Sequence, residues 1–323
     1  MARDSQASTA VRRIRSLAST SPLVNPPARH LGQRNAVYMG CGLQHDSGVV
    51  DGWLSIKTML TGSAIWETAE RSFTVSECSF LILNDRHRYR LRFESSAPAA
   101  TFVIFFQRGL VEDMFRCRRA PTARLLDVAL TPPAPVEFIE RLETSPSPLF
   151  TLLAEFRQKL FAGLTPAEAE DLFLRLAKRM VAEHHAMDRA AERLPAVRPS
   201  TRRELHRRVL RGRDFLLSQA GERITLADAA RAACLSPCHF HRAFTQALGV
   251  TPHQALTRYR LESAAARLAG GESVTQVCLA SGFESLGSFS ALFRRHFGKS
   301  PRSYRDRKLQ ISKNGEASLS HPA

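Results

Sequence analysis

The 323-residue chain has no run approaching the roughly 18 to 20 consecutive apolar residues that a membrane-spanning helix needs, since stretches such as "TFVIFF" at 101–106 are only strand-sized. It is therefore read as a soluble protein without a membrane partner. Its six cysteines form no CxxC pair and are sparse for this length, which argues against a disulfide framework and leaves buried, reduced thiols in a cytoplasm as the expectation. Cys234, Cys238 and His241 have helical spacing that could suit zinc, but no second ligand pair follows at finger-like distance. The sequence also lacks a nucleophile elbow, a phosphate-binding P-loop and a dinucleotide glycine fingerprint. His45 and His87 in the strand-like region stand alone, without the H-x-H, carboxylate and later histidine of a catalytic cupin metal site. His239 and His241 have that spelling but fall on a helix. The expectation is a protein that is not an enzyme and carries no cofactor or metal, with a metal-dependent enzyme in the strand-like region as the alternative.

Acidic residues are also scarce, and unevenly so. The chain has 46 Lys and Arg against 30 Asp and Glu, a formal charge of +16. Between Arg198 and Lys308 the counts are 20 and 8, so this third of the chain supplies +12. A compact domain of that density has the electrostatic footprint of a nucleic-acid binder, which gains affinity by releasing phosphate counterions.

What is present falls into two parts. Residues 1–35 are rich in Ser, Arg and Pro with one acidic residue, Asp4, superficially like a transit peptide but read as a disordered arm; they contain no apolar signal-peptide core. From about Ala36 to Phe106 short alternating or apolar runs are separated by turn residues: "WLSIKTML", "AIWETA", "RSFTVSE", "SFLILND", "RYRLRFES" and "ATFVIFF". Regular short strands imply a sandwich or small barrel. Helical periodicity follows from about residue 110, with Leu149, Leu152, Leu153, Phe156 and Leu160 on one stripe, a capping box at "TPAE" (165–168), and Leu172, Leu176, Met180 and Val181 on a second stripe. These helices either pack on the strands or also dimerise. Domain 36–190 is thus expected to end at a linker over 191–203, where two prolines join a basic run; a helical domain spans 204–307 and a disordered tail 308–323.

The helical domain contains a repeat. Ala229, Ala230, Cys234 and Leu235 align with Val277, Cys278, Gly282 and Phe283 at an offset of 48; Ser236, Phe240, Phe244, Gly249, Thr251 and Pro252 align with Ser285, Phe289, Phe293, Gly298, Ser300 and Pro301 at 49. One unit is present twice, at about 224–248 and 273–297, with one extra residue in the second turn. Each copy has a short helix, a tight turn and a second helix that buries two phenylalanines one turn apart, which is helix-turn-helix spacing. The segment "TPHQALTRYRLESAAARLAGG" between them predicts a rod of about 16 helical residues, ~24 Å long, able to hold two reading helices near successive major grooves.

On the first reading helix the positions opposite Phe240 and Phe244 include Pro237, Cys238, His241 and Arg242, and the corresponding second-unit positions are Leu286, Gly287, Ser288 and Ala291. "LADAARAACLSPCHFHRAF", "ALGVTP" and "GFESLGSFSALFRRHFGKSPRSYR" resemble the paired helix-turn-helix domain of the AraC/XylS bacterial transcription regulators, including the closing pattern through Gly282, Phe283, Phe289, Phe293, Gly298, Ser300, Pro301, Tyr304 and Arg305. Residues before 195 resemble the family's sensor half more loosely, through "FLILNDRHRYRL". The resemblance implies an α+β protein of two domains: an N-terminal cupin-like β-barrel with accessory helices and a C-terminal all-α double helix-turn-helix domain. It implies a cytoplasmic bacterial regulator, an activator or repressor, acting as a homodimer on promoter DNA with RNA polymerase and with a small-molecule effector or dimerisation as the front half's role.

The resemblance places base contacts at Cys238, His241 and Arg242. Arg242 could pair bidentately with guanine or touch phosphate, and Cys238 could simply pack. Leu286, Gly287, Ser288 and Ala291 depart from the family's polar pattern, so the second unit is expected to read thymine methyls, use Ser288, or anchor phosphates through Arg294, Arg295, Lys299 and Arg302. Arg202, Arg203, Arg207, Arg208 and Arg211 read as a solvated or phosphate-facing stripe. An effector pocket could draw walls from Trp66, Phe80, Tyr89 and Leu91 with Asn84 and His87 as polar groups, although strand aromatics are more often core and His87 could be a surface turn residue. The alternative of a nucleoid-type architectural protein would bind by charge and deformability alone.

Overall fold

The computed structural model describes Ile14, Leu17 and residues 21–119, 136–145, 147–195 and 198–307. The chain divides after Arg189 into two compact units.

The first unit is a nearly closed antiparallel β-barrel followed by helices. Its strands are β1 (Ala36–Asp51), β2 (Ser55–Thr61), β3 (Ser63–Thr68), β4 (Ser72–Ser76), β5 (Ser79–Leu83), β6 (Arg88–Phe105) and β7 (Leu142–Thr144). The long β6 organises them. β1 pairs along one edge of it; on the other edge β3 takes the first half and β2 the second, so that the sheet must bend between them. β4 continues beyond β3, and β5 and β7 beyond β2. "RYRLRFES" and "ATFVIFF" are thus one strand rather than two. Pro98, which lacks an amide hydrogen, is tolerated because the register with β1 jumps from Glu94 to Ala99 and residues 95–98 have no ladder partner.

β2, β5 and the second half of β6 bury both faces, whereas β3 and β4 keep one face exposed, and the two buried faces differ. Val37, Met39, Ile56, Phe80, Ile82, Phe102 and Ile104 form one core with α1 (Leu110–Arg119), α2 (Pro148–Gly163) and α3 (Pro166–Glu192). Phe102 meets Phe156 edge-on at 6.3 Å and Phe106 meets Phe173 at 5.9 Å. The alternate residues, including Lys57, Trp66, Phe73, Leu81 and Val103, are also buried and point into the barrel. Thr165 and Glu168 cap α3 reciprocally, as the sequence predicts.

Two boundaries differ from expectation. The segment 1–35 is not all arm: Val24 bridges to Val37 and is 2% exposed, while Asn25 exchanges side-chain hydrogen bonds with the Met39 backbone at 3.0 and 2.8 Å. The apolar Val24 and the amide of Asn25 add a short lining to the edge of β1, which composition alone obscures. The linker expected at 191–203 is shorter, because α3 continues to Glu192 and α4 (Pro199–Ser218) starts with proline at its first turn. The tail expected at 308–323 lies outside the described residues.

The second unit contains α4, α5 (Leu226–Ala232), α6 (Pro237–Leu248), α7 (Pro252–Ala269), α8 (Val274–Ala280), α9 (Leu286–Phe297) and a further helix over 301–307. It has two apolar cores. Phe240, Phe244, Ala229 and Ala230 pack with Val209 and Leu216 of α4 in the first; Phe289, Phe293, Val277 and Cys278 form the second. The rod α7 serves both, giving Ala255, Leu256 and Tyr259 to one and Leu261, Ala264, Ala265 and Leu268 to the other. Gly212 of α4 admits the Phe240 ring: a Cβ there would lie 2.3 Å from Phe240 Cε2 and 3.0 Å from the Ala229 carbonyl. Gly212→Ala should therefore destabilise the full chain by about 1 to 3 kcal/mol in urea unfolding, despite the ~1 kcal/mol gain in helix propensity, because the ring has no room to yield. Gly287→Ala, which meets open space, should be neutral or stabilising in the same measurement.

Candidate nucleic-acid interface

The two units of the repeat are built by the same local chemistry. The first turn places Cys234 at φ +52° and the second places Gly282 at φ +75°. A non-glycine residue in this left-handed region is uncommon, yet the surrounding hydrogen bonds are shared at an offset of 48: Leu235 N donates to Ala230 O at 2.9 Å and Phe283 N to Cys278 O at 3.2 Å. The reading helices begin at Ser236 and Ser285, whose hydroxyls accept from His239 N and Ser288 N at 3.3 and 3.2 Å. They end at Gly249 and Gly298, both left-handed, with φ +73° and +72°. The added residue, Glu284, lies in the second turn, between the two offsets.

Fully buried phenylalanines fix which face of each helix is free. With Phe240, Ala243, Phe244 and Ala247 buried, Cys238, His239, His241 and Arg242 are exposed on α6. Arg242 makes no ion pair or hydrogen bond among the described residues, so its guanidinium fork is available to an outside acceptor. On α9, Phe289 and Phe293 are buried and Leu286, Gly287, Ser288 and Ala291 are exposed. The Ser288 hydroxyl is already engaged, 2.7 Å from Ser285 Oγ and 3.1 Å from Ser285 O, so it serves the cap first. Arg294, Arg295 and Arg302 are exposed and Lys299 is half-buried, all at the C-terminal side of α9. Cys234 and Cys238 are exposed, contrary to the expected burial, because they occupy the turn and the outward face; Cys278 is buried as expected. Among the described residues no three His, Cys, Asp or Glu side chains gather at a metal-sized spacing. On α4, Arg203 and Arg207 are exposed, whereas Arg208 pairs with Glu204 at 2.9 Å.

Residues 229–307 match the family model described as a helix-turn-helix domain. The chain is 36% identical over 92 residues to the probable transcriptional regulator LumQ of Photobacterium leiognathi, covering 28% of this chain and 37% of that protein. It is 46% identical over 66 residues to the transcriptional activator RhaS of Escherichia coli O139:H28, covering 20% and 24%. A solved AraC-type regulator structure from Chromobacterium violaceum is 29% identical and covers 32% of this chain and 93% of that one, at TM-score 0.31. The C-terminal domain is of the AraC/XylS type. The chain spans less than two fifths of the length of these curated relatives, so the match bears on this AraC/XylS-type domain and not on the barrel.

The pocket expected in the barrel is only partly assembled. Trp66 lies directly across from Leu91 on neighbouring strands, with Tyr89 two residues along on the same face. Phe80 faces the other way, its ring 6.4 Å from Phe150 of α2. Asn84 is buried and committed to the Phe138 backbone, donating to its carbonyl at 2.9 Å and accepting from its amide at 2.8 Å. His87 sits in an exposed turn and pairs with Glu140 at 2.7 Å. These three therefore do not converge with Trp66, Tyr89 and Leu91. The interior residue that sequence reasoning missed is Lys57, 1% exposed, whose Nζ donates to Tyr89 Oη at 2.9 Å. Its burial holds the amine well below the usual lysine range, and burial pushes the Tyr89 hydroxyl up to about 12.

Within the AraC/XylS-type domain, Glu262 of α7 is the least ordinary carboxylate. Burial raises it to about 7, against the pull of Arg258 3.7 Å away, and its Oε2 has no partner among the described residues. The folded domain therefore keeps a proton that the unfolded chain has released between about 4.5 and 7, so the contribution of this group is present below pH 4.5 and lost as pH rises through about 7. Glu262→Gln should remove that slope and make the protein more stable at pH 8 by on the order of 1 to 2 kcal/mol, as read from denaturation midpoints between pH 5 and 8.

Proposed function

We propose that this protein is a sequence-specific, DNA-binding transcription regulator of the AraC/XylS type, in which the barrel half senses a small molecule or mediates homodimerisation. The observation that carries this reading is the pair of identically capped reading helices, each pinned by two buried phenylalanines so that its opposite face is free. Arg242, exposed and without an internal partner, is the side chain best suited to bidentate guanine recognition, with Cys238 and His241 beside it. Leu286, Gly287 and Ala291 offer no paired hydrogen-bonding groups, so α9 serves mainly for methyl contacts and phosphate anchoring through Arg294, Arg295, Lys299 and Arg302. Promoter DNA and RNA polymerase are the partners, the cytoplasm is the site of action, and no catalysis is assigned. Among the described residues no helix is long and apolar enough to cross a membrane.

In vitro selection from random duplexes with the full chain tests this reading. A defined site should emerge, and Arg242→Ala should weaken binding to it by about tenfold to a hundredfold while flattening preference at one base pair, corresponding to ~1 to 3 kcal/mol. Arg294→Ala should instead weaken selected and random duplexes alike. Failure to enrich any sequence would favour an architectural role, and greater loss of base preference from changes at Leu286 or Ala291 than at Arg242 would reverse the division of labour.

A further inference from the structure

Taking the sensor reading of the front half as its starting point, we infer that the barrel interior receives a monocarboxylate with a compact apolar body, its carboxylate accepting hydrogen bonds from Lys57 Nζ and Trp66 Nε1. Lys57 lies in mid-β2, between Leu81 of β5 and Val103 of β6 on the inward face. An apolar residue would suit that position better if packing were its only purpose, since a buried ammonium costs several kcal/mol unless paired. Yet no carboxylate pairs with it among the described residues. Its neighbours are the Tyr89 and Phe105 rings, 4.1 and 4.5 Å from Nζ, and the Tyr89 hydroxyl.

A purely structural lysine–tyrosine bond uses one donor of the amine and leaves the rest unused. A second, independent observation points the same way: Trp66 is fully buried and its Nε1 has no hydrogen-bond partner among the described residues. An orphaned buried donor is uncommon and costs about 1 to 3 kcal/mol. Trp66 stands across from Leu91, the next inward position from Tyr89 on β6, and Lys57 Nζ bonds the Tyr89 hydroxyl, so both donors approach the same stretch of β6. Among the described residues the interior therefore has a surplus of donors, one ionisable amine and no carboxylate. That inventory suits a ligand with a single negative charge and two acceptor oxygens better than a phosphate dianion, and the surrounding Phe73, Leu81, Val103 and Phe105 suit an apolar body. Of the two rings against the amine, Phe105 is buried and Tyr89 half-buried, so Tyr89 is the one with a side toward solvent.

The test uses the full chain and a panel of benzoate, cinnamate and hexanoate, each beside its carboxamide, in thermal-shift and calorimetric titrations. At least one acid should raise the melting temperature by several degrees while its amide does not. Binding should be accompanied by net proton uptake, seen as a dependence of the heat on buffer ionisation, because a carboxylate favours the charged form of the desolvated Lys57 amine. Lys57→Met should lose the response to acids at least tenfold while keeping the circular dichroism spectrum, and Trp66→Phe should weaken it severalfold. If Lys57→Met does not fold, Trp66→Phe and the acid-to-amide contrast in the unmodified chain still decide. Equal responses to acids and amides, no response to any acid, or an intact response in Lys57→Met would each overturn the inference. A chain that selects a promoter sequence but ignores every acid refutes only this inference; one that binds an acid but selects no sequence refutes the regulator reading instead.

Discussion

A single rod has to be apolar on two sides. Tyr259 and Leu261 of α7 are two residues apart, about 200° around the helix, and enter different cores. With 18 residues, α7 is ~27 Å long, somewhat more than the connector read from the sequence. Because each core closes around its own pair of phenylalanines, the rotation of α6 and of α9 about their axes is set by burial and not by surface contacts. The exposure of Arg242 and of Ala291 follows from the same packing that excludes Phe240 and Phe289 from water. Caps then fix where each reading helix begins and ends.

The repeat was the most legible feature because glycine, serine and proline act locally. Gly249 and Gly298 stop their helices at matching left-handed residues, and Ser236 and Ser285 start them. The two offsets, 48 and 49, correspond to hydrogen bonds on either side of one inserted residue. The barrel was legible only as a class. β1 is interrupted in sequence by Gly40, Gly42 and Gly48, which weaken the alternation, and its bulges lie nearby at Gly42/Gln44 and Asp46/Val49. β6 runs through a proline that would ordinarily end a strand. Val24 and Asn25 join the fold through a bridge and a side-chain amide, neither of which leaves a periodic signal.

The missed lysine has a physical explanation. Alternation tells which residues share a face of a strand, but in a barrel wrapped by helices both faces are dry, and polarity no longer marks the outside. Lys57 stands between Ile56 and Thr58 and reads as a solvent-facing residue on an edge. Only the rolled sheet shows that its face is the interior, while Ile56 turns to the helices. The same ambiguity misplaced Phe80: as a large apolar residue next to Leu81 it could line either side, and the parity of the strand sends it to Phe150.

One side chain connects the two halves of the helix-turn-helix unit without belonging to either core. Arg260 of α7 donates to the carbonyls of Ala220 and Glu222, at 2.7 and 2.8 Å, in the loop after α4, and its guanidinium would touch a Cβ at Gly282 at 3.0 Å. A glycine at that turn therefore does more than adopt the left-handed backbone; its bare Cα is the seat on which the guanidinium rests. The arrangement is a strut: one guanidinium joins the loop after α4 to the second turn outside the aromatic packing of both units.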